Sequence, residues 1–473
     1  MSRQVTIDLL TKVEGHGRVT LTLGADGALE SSHFHVTEFR GFEKFCEGRM
    51  LWDMPVITTR ICGICPVSHH LASVKAAEAC LGVAPPPTAI KLRELMHMGQ
   101  LINSHAMHFF YLAAPDFVVG PDAPPQERSI VGIIERNPEL AKKAIMLRKY
   151  GQDVVEKVGG RAIHPVTAIP GGMSRSLDHA DRHGLAKQLP QALELAKLAL
   201  ATAKALISEY ATTLPSLGAL DSMHLGMVRE GALELYDGPL RLVSASGERV
   251  DEFDGARYLD VIAEHVEADS YMKFPYYRRL GWPDGYYRVG PLARLNVAER
   301  ITTPLANDEL RLFKMLGPNG MARENLHYHV ARMIELVYAV ERAGELLADD
   351  DIVGGDYRVR VDRRAGEGVG VLEAPRGTLL HHYAADDDGR VTKVNLIVAT
   401  EHNNRAIDLS VGQMAAQYIH GDRLEEGLLN RVEMAVRCYD PCLSCATHAL
   451  GRMPLTIELF GPDGVRLDAI QRD

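Results

Sequence analysis

The sequence predicts a mainly α-helical fold with small β elements at its edges (class α+β), built as one large domain around a core of long helices. Apolar residues recur at steps of three and four over long stretches, as on the buried face of a helix. Short runs that alternate apolar and polar residues, typical of strands, lie between Gly- and Pro-containing turns. The 473 residues are 46% hydrophobic, with no low-complexity linker or internal repeat, so one extended core can be buried.

The N-terminal segment is predicted to be a β-hairpin. Apolar residues at positions 19, 21 and 23 alternate with polar residues, a turn follows at residues 24–27, and a second strand-like run extends to residue 39. Glu14 precedes this alternation, beside the flexible backbone of Gly15. An acidic side chain is therefore expected in a loop at the edge of the hairpin.

Long helices make up most of the remaining chain. In the helix near the middle of the sequence, residues 326–340 carry apolar side chains at alternating steps of four and three, which gives one stripe for bundle packing. Thr88 follows three prolines and is expected to cap a second helix. The predicted helices span residues 68–81, 88–109, 138–158, 190–213, 321–348 and 424–438. Short strands are expected at residues 238–244, 368–373 and 390–399, and Gly/Pro-marked loops at residues 164–174 and 284–296.

The composition argues against two functional classes. The net charge is −10 and the basic residues are scattered, so a nucleic-acid-binding face is not expected. No apolar run approaches the roughly 20 residues of a membrane span, and the N-terminus lacks a signal-peptide pattern. We therefore expect a cytoplasmic protein without membrane association.

Four of the seven cysteines form two Cys-x-x-Cys pairs near opposite ends of the chain. In a reducing compartment such pairs indicate metal or redox sites rather than disulfides. Together they would supply the thiolate set that soft or borderline metals prefer. The paired residues are Cys62 with Cys65 and Cys442 with Cys445, whereas Cys46, Cys80 and Cys438 are expected to be ordinary buried thiols.

Other interpretations of the pairs remain open at this point. A ribbon-type zinc site usually joins pairs about 15–20 residues apart, a poor match to this separation. A thioredoxin-like redox pair would need a short βαβ context, which neither pair has. A zinc-stabilised interaction protein without catalytic activity is the alternative from a different class.

The segments around both pairs resemble the two signature motifs of the nickel–iron hydrogenase large subunit. They read Arg60-Ile61-Cys62-Gly63-Ile64-Cys65 with His69, and Asp440-Pro441-Cys442 with Cys445 and His448. Further motifs occur in the family's order at residues 12–16, 164–172, 289–294 and 373–377. The resemblance spans the whole chain and implies the large-subunit fold. It also implies reversible, heterolytic H2 cleavage at a binuclear Ni–Fe centre whose iron carries CO and cyanide.

The resemblance assigns a role to each paired cysteine. Cys62 and Cys442 would be terminal nickel ligands, and Cys65 and Cys445 would bridge nickel and iron. Four thiolates would make the nickel soft and electron-rich, as the activation of H2 requires.

The resemblance further implies residues that act on substrate or proton. Glu14 matches the proton-relay glutamate, and Arg376 matches the arginine held over the open metal position. Pro375 and Asp440 would belong to the same canopy, and Thr400 would face a cyanide ligand.

Two more features follow from the resemblance. His69 matches a histidine that hydrogen-bonds a bridging sulfur and tunes the metal. Glu43 and His448 match ligands of a separate magnesium site, with the Leu396 carbonyl as a further ligand.

One position departs from the respiratory members of the family. Many of them have aspartate where this chain has Ser104. This change, with residues 39–45 and 373–383, is more similar to the bidirectional NAD-linked hydrogenases. Such an enzyme would pass electrons through a small iron–sulfur subunit to a diaphorase that binds flavin and NAD. No G-x-G-x-x-G follows a strand here, so this chain itself is expected to bind neither flavin nor NAD. A hydrogenase of another soluble group and a regulatory H2 sensor are the alternatives within the family.

The chain continues past the second motif. Residues 1–448 are expected to form the large-subunit domain and residues 449–473 a propeptide. The resemblance implies that an endopeptidase cleaves between His448 and Ala449 after nickel-insertion factors have acted. Residues 455–469 alternate around a Pro-Asp-Gly turn, which predicts a hairpin. A plain C-terminal hairpin that is retained is the alternative.

Overall fold

Long helices form the centre of the molecule, which confirms the class predicted from the sequence. The computed structural model describes residues 3–8, 10–210, 214, 217–362, 364–419, 425–447, 455–460 and 466–472. Its helices are α1 (Phe42–Cys46), α2 (Met54–Ile57), α3 (Pro66–Leu81), α4 (Pro87–Met107), α5 (Ala114–Val118), α6 (Ile130–Arg136), α7 (Pro138–Gly159), α8 (His179–Tyr210), α9 (Tyr258–Val261), α10 (Pro291–Val297), α11 (Pro304–Phe313), α12 (His327–Ala348), α13 (Ala399–His402), α14 (Asn404–Tyr418) and α15 (Glu426–Cys438).

The strands form small antiparallel sheets, apart from one parallel pairing between β6 and β12. They are β1 (Arg3–Asp8), β2 (Gly17–Leu23), β3 (Leu29–Val36), β4 (Ala168–Ile169), β5 (Gly172–Met173), β6 (Met223–Arg229), β7 (Ala232–Leu233), β8 (Leu240–Val243), β9 (Arg249–Phe253), β10 (Ile262–His265), β11 (Phe274–Tyr277), β12 (Tyr287–Arg288), β13 (Gly366–Ala374), β14 (Gly377–Ala385), β15 (Val391–Ile397), β16 (Leu455–Phe460) and β17 (Arg466–Arg472). The larger sheets have the orders β1-β2-β3, β13-β14-β15 and β12-β6-β8-β9.

The helical core is built around α4 and α12. Helix α4 packs against α7 and α12, and α12 packs against α8. The apolar stripe predicted on α12 is buried in these contacts. A π-helical segment, His108–Ala113, continues α4 into α5. None of the helices in the described ranges has the length and apolar content that a membrane crossing requires.

Helix α3 joins this core to the first cysteine pair. It starts directly after Cys65 and packs on β13 and β14. A Cβ at Gly370 would lie 2.1 Å from the Ala72 carbonyl oxygen, so glycine allows this strand to touch the helix backbone. The contact holds α3 against the sheet that carries residues 373–377.

The predicted hairpins are confirmed at both ends of the chain. β2 pairs with β1 and with β3, and Val19, Leu21 and Leu23 are buried. In the C-terminal segment β16 pairs antiparallel with β17, with Leu455 opposite Arg472. The predicted Pro-Asp-Gly turn at residues 462–464 lies outside the described residues.

Several predicted boundaries are wrong. Helix α8 starts at His179 and continues through Pro190, because its buried Leu185 and Ala192 pack on both sides of the proline. The predicted loop at residues 284–296 contains α10, with Pro291 in the first turn, where proline is tolerated. Thr88 is not the N-cap of α4: Pro86 is, and the Thr88 hydroxyl donates to the Asp351 carbonyl. The helix predicted at residues 321–348 begins only at His327.

Candidate metal centre

The fold brings the two distant cysteine pairs together. Cys62 follows a 3-10 turn in extended conformation, and Cys65 immediately precedes α3. Cys442 and Cys445 follow α15. The Sγ atoms of Cys62 and Cys442 are 3.4 Å apart, and those of Cys65 and Cys445 are 3.5 Å apart. All four sulfurs lie within 4.8 Å of one another and are buried, the only such group among the described residues.

The N-terminal loop that carries Glu14 closes over the second pair. Glu14 and Cys442 form an isolated parallel bridge, in which the Leu443 amide donates to the Glu14 carbonyl at 2.9 Å. Gly15 has φ +84°, and a Cβ there would lie 2.8 Å from the Ser444 nitrogen. Only glycine fits this approach, which explains its position beside the glutamate.

The chemistry of the four thiols fits a metal. Hydrogen bonds from Cys442, Cys445 and Cys62, together with His69, hold the pKa of Cys65 well below its usual value. Burial raises the pKa of Cys442 and of Cys445 well above it. Ionising Cys442 and Cys445 in this buried site therefore requires a cation close to their sulfurs. Four converging thiolates suit nickel and iron better than hard cations.

The carboxylate of Glu14 contacts the sulfur cluster directly. Its Oε2 accepts hydrogen bonds from Cys442 Sγ at 3.0 Å and from the Ser444 amide at 3.1 Å. Glu14 also lines a surface cavity of about 580 Å³, together with Cys62, Glu38 and Arg60. The carboxylate therefore lies between a buried sulfur and an open surface, as a proton relay requires.

A second, enclosed cavity adjoins three of the four sulfurs. It holds about one water-sized molecule (about 10 Å³), and its walls include Cys65, Cys442, Cys445, Ser68, His69, Pro375, Arg376 and Thr400. The Thr400 hydroxyl oxygen accepts from the Cys442 amide at 3.0 Å, which leaves the hydroxyl hydrogen to donate elsewhere. Pro375 and Arg376, predicted from the sequence as canopy residues, line this cavity beside the sulfurs.

Arg376 and Asp440 form a buried ion pair at this cavity. Arg376 Nε donates to the Asp440 carbonyl at 2.7 Å and Nη2 to its Oδ1 at 3.0 Å. Burial alone would lower the pKa of Arg376, but Asp440 and the nearby thiols hold it well above its usual value. Arg376 Nη1 and Asp440 Oδ2 have no hydrogen-bond partner within the described part of the chain. A charged donor is thus available to a small molecule in the cavity.

A buried arginine behind the canopy was missed by sequence reasoning. Arg294, on α10, donates to Glu335 and Glu373 and also to the carbonyls of Ala374 and Pro375, at 2.7 and 3.3 Å. These bonds fix the turn that carries Arg376. Arg294 belongs to one of the motifs between the cysteine pairs, but the sequence predicts a loop there and indicates no buried role for it.

The predicted magnesium site is only partly described. Glu43 Oε1 accepts from the Leu396 amide at 2.7 Å, and burial raises the pKa of Glu43. His448 lies outside the described residues, as does Ala449 across the predicted cleavage point. Two neighbours, Glu401 and Lys273, were missed because they belong to no recognisable motif. Glu401 is fully buried, and its Oε1 has no hydrogen-bond partner among the described residues.

Comparison with known families identifies the family of this chain. A family profile described as nickel-dependent hydrogenase matches residues 40–124 and 234–448, and a profile described as HoxL-like matches residues 4–39. The chain belongs to the nickel-dependent hydrogenases. The hydrogenase activity and large-subunit fold inferred from the signature motifs are therefore confirmed.

The names of the relatives differ in what they say of the electron acceptor: some state only that F420 is not reduced, and one names NAD. A chain of the F420-non-reducing hydrogenase vhu of Methanocaldococcus jannaschii is 48% identical, covering 88% of this chain and 99% of its own. The NAD-reducing hydrogenase HoxS subunit beta of Cupriavidus necator is 41% identical, covering 99% of both chains. A chain in the crystal structure of an NAD+-reducing [NiFe]-hydrogenase in the H2-reduced state is 44% identical in sequence. The two structures superpose with a TM-score of 0.92, and the match covers 94% of this chain and 99% of that one.

The three remaining cysteines of this hydrogenase are buried, as predicted. Cys46, Cys80 and Cys438 lie in the core, away from the four converging sulfurs. Burial raises the pKa of Cys46 and of Cys438 to about 12, which keeps them as unreactive thiols.

Proposed function

We propose that this chain is the catalytic subunit of a cytoplasmic [NiFe] hydrogenase that transfers electrons from H2, through a small iron–sulfur subunit, to a diaphorase that reduces NAD+. The observation that carries the proposal is the buried group of four cysteine sulfurs with Glu14 bonded to one of them. Cys62, Cys65, Cys442 and Cys445 would hold a nickel–iron centre with CO and cyanide on its iron. When bound, that centre supplies the redox and Lewis-acid chemistry that splits H2 into protons and electrons.

The protein's own groups would guide the proton and the substrate. Glu14 Oε2 would accept a proton at Cys442 Sγ and release it into the surface cavity. Arg376, held by Asp440, would keep a fixed positive charge over the enclosed cavity and orient a small molecule there. Thr400, through its hydroxyl hydrogen, would bond a diatomic ligand of the centre. The buried walls would exclude bulk water from this step.

Electrons would leave across the face beside Cys62. Cys62 lines the open surface cavity, whose rim includes Phe39, Arg60 and His164. Phe39 is 39% exposed, and Ile163, next to His164, is 49% exposed. Exposed apolar side chains around a polar opening suit a partner protein. We assign this face to the iron–sulfur subunit, which agrees with the relatives being named as subunits of hydrogenases.

A magnesium ion near Glu43 is part of the proposal. Glu43 and His448 would bind it with the Leu396 carbonyl. Among the described residues, the buried Oε1 of Glu401 has no hydrogen-bond partner. An oxygen ligand of this kind suits a hard cation in this region. Burial raises the pKa of Glu401 well above its usual value, so a bound cation would be needed to ionise it.

A hydrogenase with a different acceptor is a second candidate. The F420-non-reducing relatives reach 48% identity, above the 41% of the NAD-reducing relative. Coverage does not separate the two candidates, since F420-non-reducing relatives align over 98% of both chains and the NAD-reducing relative over 99%. The likeness to the NAD+-reducing structure, with a TM-score of 0.92, supports the NAD-linked assignment. A diaphorase that copurifies with the chain, with H2-dependent NAD+ reduction, would support this assignment; other partners and no NAD+ reduction would support the second candidate.

The purified, matured complex provides the decisive test. We expect nickel, iron and magnesium by metal analysis, infrared bands from CO and cyanide, and loss of both bands and activity in Cys65→Ser while the chain stays folded. Zinc without nickel, or an active complex without these bands, would contradict the proposal. Intact bands with very low turnover would instead indicate an H2 sensor.

We also propose that residues 449–473 are a propeptide that is removed after nickel insertion. The hydrogenase profile match ends at residue 448, and β16 and β17 form a separate hairpin beyond it. Cys442 and Cys445 already lie beside Cys62 and Cys65 while β16 and β17 are present, so the tail would act after the sulfurs have converged, as a segment removed once nickel is in place. Intact mass measurement of the same preparation should show a chain that ends at His448. A nickel-containing, active complex with the 25-residue tail attached would contradict this role and favour a retained hairpin.

A further inference from the structure

We propose that His381 and Tyr383 are positioning residues of the metal centre: with Ser73 they hold the ring of His69, which lines the enclosed cavity beside Cys65, and so determine which ring nitrogen faces the Cys65 sulfur. The inference rests on the proposed nickel–iron centre, but it concerns side chains outside the ligand set. It assigns a role to a row of buried, hydrogen-bonded side chains that belong neither to the proton relay nor to the canopy.

The chain of hydrogen bonds is continuous and buried. His69 Nδ1 lies 3.1 Å from His381 Nε2, and His381 Nδ1 lies 2.6 Å from Tyr383 Oη. The Tyr383 hydroxyl in turn donates to Ser73 Oγ at 3.0 Å. None of these four side chains is more than 1% exposed. Bulk water therefore cannot substitute for a lost partner, and each ring has few alternative orientations.

Two secondary-structure elements place the four residues opposite one another. His69 and Ser73 are four residues apart on α3, so they lie on one face of the helix. His381 and Tyr383 are two residues apart on β14, so they lie on one face of the strand. Since α3 packs on β14, the two pairs meet in the interface. The same helix begins immediately after Cys65, which couples this interface to the sulfur.

The direction of the bonds assigns the nitrogens of His69. Because the Tyr383 hydroxyl donates to Ser73, its oxygen accepts from His381 Nδ1. His381 Nε2 then accepts from His69 Nδ1. The other nitrogen of His69, Nε2, then faces the Cys65 sulfur, where a neutral ring accepts from the thiol and a ring protonated on both nitrogens donates to a thiolate. The outer residues thus decide which nitrogen faces the metal ligand.

A hydrogen bond to a ligating sulfur changes the electron density that the sulfur gives to its metals. Loss of the Tyr383 hydroxyl would free the His381 and His69 rings to turn, while all four cysteines remain. The expected consequence is an altered centre rather than an absent one. An altered but fully assembled centre would indicate a positioning role, whereas a purely structural role would leave the centre of the folded protein unchanged.

The test compares Tyr383→Phe and His381→Gln with a matched control in the matured complex. Tyr150→Phe removes another buried tyrosine hydroxyl, one without a hydrogen-bond partner among the described residues. In Tyr383→Phe and His381→Gln we expect full nickel and iron content, shifted CO and cyanide bands, and a kcat for H2 oxidation lower by about 10-fold or more. The control should keep wild-type bands and activity. Ser73→Ala, a smaller change, should shift the bands in the same direction.

Each alternative result has a defined meaning. Wild-type band positions in Tyr383→Phe, or equal shifts in Tyr150→Phe, would overturn the inference. Shifts in His69→Ala but not in His381→Gln or Ser73→Ala would show that the positioning ends at His69 and would overturn it as well. Absence of CO and cyanide bands from the active wild-type complex would instead overturn the proposed function, and with it this inference.

Discussion

Replacing Glu14 by glutamine should lower the exchange of H2 with solvent protons by about 10²- to 10⁴-fold. The amide keeps the size and shape of the side chain and can still contact Cys442 Sγ, which lies 3.0 Å from the carboxylate in the structure. It cannot take up and release a proton, so transfer from the sulfur to the surface cavity should stop. Isotope exchange between D2 and water measures this step directly.

Metal content and the infrared bands should be unchanged in Glu14→Gln, since no metal ligand is lost. Glu38→Gln is the matched control: Glu38 lines the same surface cavity, but its carboxylate contacts the Ser444 hydroxyl, at 3.4 Å, rather than a cysteine. We expect exchange close to wild type in this control. Normal exchange in Glu14→Gln, or an equal loss in Glu38→Gln, would rule out Glu14 as the specific relay.

Arg376→Lys should lower H2 oxidation by about 10²- to 10³-fold while nickel and iron remain bound. The guanidinium of Arg376 donates to Asp440 through Nε and Nη2. Arg376 lines the enclosed cavity, and its Nη1 has no hydrogen-bond partner among the described residues. A lysine ammonium retains the charge but is a single point, so it cannot hold Asp440 in this fork and also face the cavity. Turnover measured with an artificial acceptor, beside metal analysis, tests the expectation.

Arg93→Lys controls for the loss of a buried arginine fork. Arg93 is fully buried and forms a two-bond ion pair with Glu78, outside the sulfur cluster and its cavities. Both variants should lower the melting temperature, because each disturbs a buried ion pair. Only Arg376→Lys should lower turnover per nickel. A similar loss per nickel in Arg93→Lys would mean that Arg376 contributes through stability alone.

The long periodic segments could be predicted because packing and local preference agree there. The stripe on residues 326–340 and the alternation at residues 19–23 each follow from one buried face. Strand β14 was missed for the opposite reason. Residues 377–383 are buried on both faces, so apolar and polar side chains do not alternate, and its polar residues His381 and Tyr383 obscured it further.

Prolines account for two of the wrong boundaries. The sequence pattern predicts a helix start at Pro190 and a loop around Pro291, whereas both residues lie within helices. Sequence alone does not show whether the lost backbone bond is outweighed by packing on either side, as it is around Pro190. Buried charges such as Arg294 and Glu401 were missed because a charged residue is ordinarily exposed. Only the folded chain shows which carboxylates and carbonyls surround it.

By itself, the sequence determined the ligand chemistry: two Cys-x-x-Cys pairs, with the motifs between them, are enough to indicate the nickel–iron hydrogenases. Thiolate chemistry depends on residue type and short spacing, both of which are visible in the chain. Only the tertiary structure decided how the site is supported. Three sets of contacts support it: Glu14 with Cys442, Arg376 with Asp440, and the hydrogen bonds that lead from His69 to Ser73. Each joins residues that are distant in sequence, although His69 and Ser73 themselves are one helical turn apart. Such contacts depend on helix and sheet packing, which no local pattern records.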